Sequence, residues 1–347
     1  MAPMSDATLL PVPLLPYGSD KNGLICAFRF MPDGDVQAVE STEQVEPMLA
    51  QPLPGFLWLH FNLSHAGCEA WMRQHANLSD NFFEALATGS RSTRIERDGA
   101  VLFAVVNDVA FEFNLDMGEV ATLWLSVGPQ LVVSARRHPL RAIDRLRTAV
   151  KRGTRLGSSV ALLDHLLREQ EDELQRIVRK ATERVDDIED EVLAGKHERH
   201  SAELARLRRL MVRLQRLLAL EPGALMRLLV HPPSWIGVDD VQRLRQANEE
   251  FALVLRDIAA LQERIKLMQD EAAARVAEEN NRSLFLLTMV TVMALPINLV
   301  SGLFGMNVGG IPLAEHRTGF WIMLGFIATL TGAIAVFALQ RLRPGSD

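Results

Sequence analysis

Residues 284–304 read LFLLTMVTVMALPINLVSGLF, 21 positions without a charged side chain. A helix of that length rises about 30 Å, the thickness of a bilayer's hydrocarbon core. A second uncharged stretch of 20 residues, Phe320 to Leu339, follows after a short loop. Both fall within the last 64 residues of a 347-residue chain, so most of the protein precedes them. Mean hydropathy is only +0.07 and 23% of residues are charged, which excludes a chain that is membrane throughout, while 48% hydrophobic content excludes a disordered one. Lys266, Arg275 and Arg282 precede the first span, Arg341 and Arg343 follow the second, and the loop carries only Arg317. The positive-inside rule therefore predicts a hairpin with both termini in the cytoplasm.

Towards the N-terminus the helical pattern of the first span does not stop. It runs back to Asp239 or Asp240, either of which can cap it, with Pro296 the one internal breaker. Those 66 residues would make a rod of about 100 Å, far longer than a membrane needs, and the rest is expected to be a cytoplasmic stalk. Phe251, Val254, Ile258, Leu261, Ile265, Met268 and Ala272 recur along it at three- and four-residue steps, a heptad seam. Either preceding helices of the same chain or a neighbouring copy can cover that seam. The preceding helices are predicted from Ser158 to about Gly195, with a stripe of Leu162, Leu166, Leu174, Ile177, Val185 and Ile188, and from Ser201 to Leu220.

Further back the period changes. Leu24–Phe30, Phe56–Asn62, Ala100–Asn107, Ala121–Ser126 and Gln130–Ser134 read as strands; Ala66–His75, Asp80–Ala87 and Pro139–Lys151 read as helices, the last with Pro139 as its first residue. The expected organisation is a flexible tail (1–21), a cytoplasmic α/β domain with a mixed sheet (22–153), a helical bundle and stalk (154–283), a first transmembrane helix (284–304), an external loop (305–319), a second transmembrane helix (320–339) and a cytoplasmic tail (340–347). No phosphate loop, nucleophile elbow or dinucleotide fingerprint occurs, so an enzyme is not expected. A net charge of −6 argues against nucleic acid as partner. Cys26 and Cys68 are expected as buried thiols rather than a disulfide.

Within the first span Thr288, Thr291, Asn298 and Ser301 lie within roughly 140° of one another at about 100° per residue, and Asn281 falls on the same side. With Leu284 and Leu295 the series 281, 284, 288, 291, 295, 298 repeats every 3.5 residues, as a face kept towards a common axis does. Such a stripe can glue helices together. It can also wall a pore, for which two helices are too few and a ring of copies is needed. Asn and Thr repeated around an axis offer uncharged oxygen dipoles suited to a cation that keeps much of its water.

The first span ends in Gly305-Met306-Asn307, followed by Val308-Gly309-Gly310-Ile311-Pro312. A Gly-Met-Asn at this place, with the long stalk and the large N-terminal α/β domain, resembles the signature of the CorA-type divalent-cation transporters. The continuation, together with Trp58-Leu59-His60 and Val133-Ser134-Ala135-Arg136-Arg137, is similar to the zinc-transporting ZntB branch. The resemblance implies an α+β membrane protein assembled as a homopentameric funnel in the inner (plasma) membrane, with no cofactor and with divalent cations as cargo: Zn2+ first, and Mg2+, Co2+, Ni2+ and Cd2+ as further candidates. It implies that Gly305, Met306 and Asn307 form the entrance and that Asn281, Leu284, Leu287, Thr288, Thr291, Leu295 and Asn298 line the pore. Proton-linked uptake is the mode that the branch suggests; a magnesium or cobalt channel closed by intracellular metal is the alternative, and a membrane-tethered metal sensor or scaffold is the alternative of another class.

The first span contains no titratable side chain, so any proton or cation attraction belongs to Glu315 and His316 in the loop or to Glu263 and Asp270 on the stalk face of Asn281. No tight metal site is assigned. His197 and His200 read as an exposed polar turn rather than a metal pair, and the run Asp186, Asp187, Glu189, Asp190, Glu191 as a solvated face or a cation concentrator. Gly325, Ala328 and Gly332 are expected to let the second span pack closely.

Overall fold

The computed structural model describes residues 18–51, 54–89, 93–110, 120–194, 200–218, 228–306, 312 and 316–342. Most of the expected tail, Gly195, His197, Asn307 and Glu315 lie outside them. The chain divides into two compact units, Met1–Met268 and Gln269–Asp347.

The first unit is built on one seven-stranded sheet: β1 (Leu24–Phe30), β2 (Val36–Val39), β3 (Phe56–Asn62), β4 (Arg94–Asp98), β5 (Val101–Val109), β6 (Val120–Val127) and β7 (Leu131–Arg136), in the order β2-β1-β3-β7-β6-β5-β4. Among the described residues only β3 and β7 pair in parallel, Leu57 opposite Leu131 through Asn62 opposite Arg136; the other pairs are antiparallel, so the sheet is mixed as expected. β3 reads FLWLHFN because both of its faces are covered. Leu57, Leu59 and Phe61 point to a layer containing Trp71, Met72, Phe82 and Leu86, from α2 (Cys68–His75) and α3 (Asp80–Thr88). Phe56 and Trp58 point to the opposite core, shared with Ile143, Leu146, Leu162 and Leu166, from α4 (Arg141–Lys151) and α5 (Ser159–Leu193). One helix on the first side, α1 (Thr42–Leu49), and the strands β2 and β4 were not anticipated.

α4 starts at Arg141 and not at Pro139, because its cap comes from across the sheet: Asp108 Oδ2 on β5 accepts the Ala142 amide at 2.8 Å. Ser158 caps α5 locally, accepting the Ala161 amide at 2.9 Å. α6 (Ser201–Leu218) follows, and then one 67-residue helix, α7 (Val238–Phe304). Asp239 and Asp240 sit in its first turn rather than before it. Phe251, Val254, Ile258, Leu261 and Ile265 are buried in the core that holds α5 and α6, with Met268 packed at its edge, so the same chain covers the stalk seam. Polar links reinforce that packing: Arg168 Nη1 meets Glu250 at 3.2 Å, Gln262 donates to Gln215 at 3.0 Å, and Arg264 pairs with Asp186 at 2.6 Å and with Glu189.

The second unit holds the end of α7 and α8 (Gly319–Leu342), longer at both ends than the expected Phe320–Leu339. α7 continues through Pro296. Its apolar window has a mean hydropathy of 2.1 and no buried residue, unlike the core helix of a water-soluble protein.

Candidate ion pathway

The last third of α7 has two distinct faces. Met289, Met293, Pro296, Ile297 and Val300 are half-buried, and Ala294 is half-buried between the faces. Asn281, Leu284, Leu287, Thr288, Thr291, Leu295 and Asn298 are all exposed. At 100° per residue the two sets are centred about 160° apart, on opposite sides of the helix. α8 shows a matching half-buried stripe at Met323, Ile327, Leu330, Thr331 and Ile334, while Gly325, Ala328 and Gly332 are exposed. The half-buried faces of both helices exclude the polar stripe, and all seven candidate wall residues share one exposed surface of α7.

Thr288 Oγ1 donates to the Leu284 carbonyl at 2.8 Å and Thr291 Oγ1 to the Leu287 carbonyl at 2.9 Å. Each hydroxyl proton is spent on the helix's own backbone, which leaves the oxygen lone pairs as acceptors. Asn281 and Asn298 add an amide oxygen each beside their N–H donors, so the stripe is polar and uncharged, with oxygen acceptors suited to cations and the waters around them. Gly305 ends the helix, its amide donating to the Ser301 carbonyl at 2.9 Å; a Cβ there would stand 3.1 Å from that oxygen. Met306 is exposed at the same end. His316 is exposed beside the start of α8, its Nδ1 3.4 Å from Thr318 Oγ1. Glu263 pairs with Lys266 at 3.4 Å, and Asp270 is exposed.

A further feature of α7 was not read from the sequence. Leu253, Ala260, Leu267 and Ala274, spaced by sevens, are exposed and continue in register into Asn281, Thr288 and Leu295. Polar neighbours on both sides hid this line; only burial of the opposite seam reveals it. Among the described residues, no group of three or more His, Cys, Asp or Glu side chains is placed to hold a metal. The polar turn expected around His200 is instead buried on that histidine, whose Nε2 meets Glu191 at 3.0 Å. Arg184 and Arg264 meet the acidic run at Asp187, Asp186 and Glu189, so it is largely ion-paired rather than a bare solvated face. Cys26 and Cys68 are free, and burial pushes their thiols up to about 11 and about 12.

The two sequence segments singled out far apart, around His60 and Ser134, meet on the paired strands β3 and β7. Trp58 Nε1 donates to Ser134 Oγ at 2.9 Å, and Arg136 Nε donates to His60 Nε2 at 3.2 Å. The imidazole proton must then sit on Nδ1, 2.8 Å from Ser134 Oγ, and that hydroxyl donates on to the Leu59 carbonyl at 3.3 Å. Burial, with Arg136 and Arg147 nearby, holds His60 neutral and far below the usual histidine range. This network braces the centre of the sheet.

The chain is similar to known proteins along most of its length. It is 28% identical over 294 residues to the divalent cation transporter CmaX of Pseudomonas aeruginosa, covering 83% of this chain and 87% of that one. It is 25% identical over 278 residues to the zinc transport protein ZntB of Pectobacterium carotovorum, covering 80% and 85%. The solved structure of full-length CmaX superposes with a TM-score of 0.76, at 28% identity, over 94% of this chain and 99% of that one. The CorA magnesium transporter of Methanocaldococcus jannaschii shares the fold, with a TM-score of 0.70 at 19% identity over 92% and 98%. The soluble α/β domain and the long helix are therefore a CorA-like fold. Matched over residues 54–341, most of its length, the chain belongs to the CorA-like Mg2+ transporter protein family.

Proposed function

We propose that the protein transports divalent cations, zinc by preference, as partly hydrated ions through a pore on the axis of a homopentamer. α7 and α8 of each copy would cross the inner (plasma) membrane with both termini in the cytoplasm, leaving residues 22–283 as the cytoplasmic domain and stalk and 305–319 as the external loop. The observation that carries this reading is the uncharged polar stripe from Asn281 to Asn298, exposed opposite the half-buried face of the same helix. An anchor has no use for it, and one hairpin cannot enclose water. The exposed line Leu253, Ala260, Leu267, Ala274 supports extending the axial wall below the bilayer. In this reading Gly305, Met306 and Asn307 form the entrance. Glu315, His316, Glu263 and Asp270 are the groups through which a proton link would act, and the likeness to ZntB supports zinc as cargo and testing for that link.

The same lining supports a second reading, a magnesium or cobalt channel, because oxygen and water are what hard cations take whereas zinc prefers sulfur and imidazole. Flux of zinc, magnesium and cobalt into liposomes holding only the purified protein, with and without a pH gradient, separates the two.

A further inference from the structure

α4 and α5 pack side by side, and between them runs an open groove of about 720 Å3. Its residues take no part in the candidate pathway. Arg145 and Arg152 line it from one helix and its C-cap, Arg176 and Arg179 from the other. At its edge Glu173, whose side chain is 3% exposed, pairs with Arg145 Nη2 at 2.6 Å and Arg176 Nη2 at 3.5 Å. One buried carboxylate thus fixes two guanidiniums at the cleft. Arg152 and Arg179 have no carboxylate partner among the described residues.

Against the four arginines stand the lining carboxylates Glu169 and Asp172 and, at the edge, Glu173, which leaves the cleft positive by one charge in a chain whose net charge is −6. Glu169 is itself engaged by His165 at 3.6 Å and Arg145 at 4.0 Å. The neutral donors are largely engaged: Thr148 Oγ1 donates to the Asp144 carbonyl at 2.8 Å, and Gln175 Nε2 gives one of its two N–H groups to Glu171 at 2.5 Å. The guanidiniums are the main groups left to hold a ligand, and guanidiniums fork onto phosphate oxygens. No aromatic side chain lines the cleft, so nothing there would stack on a base.

We infer that the α4–α5 cleft is a binding site for a compact polyphosphate, recognised through its phosphate chain alone. Inorganic triphosphate and the phosphate tail of a nucleotide share that chemistry. The test is calorimetric titration of the purified full-length protein in EDTA-containing, divalent-free buffer with sodium triphosphate, ATP and orthophosphate. The site predicts saturable binding, with triphosphate and ATP within about threefold of each other and orthophosphate at least about tenfold weaker. Arg152→Ala/Arg179→Ala should weaken triphosphate by about tenfold or more, with thermal midpoint and oligomer mass unchanged. Arg209→Ala/Arg213→Ala, exposed on α6, should leave affinity unaltered. Four results would overturn the inference: no saturable heat, equal weakening by both double variants, ATP much tighter than triphosphate, or a changed oligomer mass, which would make the cleft a contact between copies.

Discussion

Thr288 and Thr291 turn their hydroxyl protons to the backbone and leave their oxygens free, which is the chemistry the proposed pathway would use. Thr291→Val keeps the shape and removes the acceptor, so it should slow metal flux several-fold while Thr291→Ser preserves it; equal rates for the two would remove Thr291 from the wall. Under the proposed entrance, Asn307→Ala removes the amide that each copy would contribute and should nearly abolish uptake with assembly intact; normal flux in that variant would displace the entrance. His60 makes a different prediction. Unfolded, it takes a proton near pH 6.5; folded, burial and Arg136 keep it neutral well below that. Its favourable contribution is therefore complete above about pH 6.5 and declines as pH falls through that value. The thermal midpoint should drop between pH 7 and pH 5 more steeply in the native protein than in His60→Gln, and parallel slopes would show that His60 does not titrate in the unfolded chain as argued. The stripe was legible because helix period alone places its residues on one face. The bond between His60 and Ser134 was not, because it requires knowing that two strands, with facing residues 74 positions apart in sequence, pair in parallel.

Elements followed the sequence where burial imposed a period. β3, α5 and the seam of α7 were predictable because covered faces demand apolar residues at steps of one, two, three or four. β4, reading RIERD, is partly exposed and carries too little apolar pattern to be recognised, and α1 contains Pro47, which reads as a breaker. α4 began two residues late because Asp108 caps it from a distant strand. The α4–α5 cleft was likewise invisible, since its arginines come from two helices whose adjacency no spacing reveals. Gly55 holds a φ of +85°, and a Cβ there would stand 1.9 Å from the Phe30 carbonyl oxygen. Gly55→Ala should therefore disrupt the β1–β3 pairing and the yield of folded protein, which expression and circular dichroism would register; native-like stability would refute the steric argument. Ile258, fully buried in the stalk seam, should cost about 2–5 kcal/mol when cut to Ala. Denaturant unfolding measures it, and a cost near zero would mean that this seam is not a packed core.

At the scale of the whole molecule, a helix with one side covered by its own chain and the other bare implies neighbours that the single chain does not supply. A closed homo-oligomer, five copies by the family resemblance, should appear in native mass measurement; a stable monomer with full transport would contradict the shared pore. The lining offers amides, hydroxyls and aliphatic carbon, with Met306 the nearby sulfur, so the pore itself should discriminate poorly between zinc and cobalt or nickel. Excess cobalt should slow zinc entry. The measurement that tests the central claim most directly is zinc uptake by liposomes reconstituted with the purified full-length protein alone. The account predicts uptake that is saturable, absent from empty liposomes, and abolished by Asn307→Ala with the oligomer intact; liposomes holding the correctly assembled oligomer that admit no zinc, magnesium or cobalt at any pH gradient would contradict it.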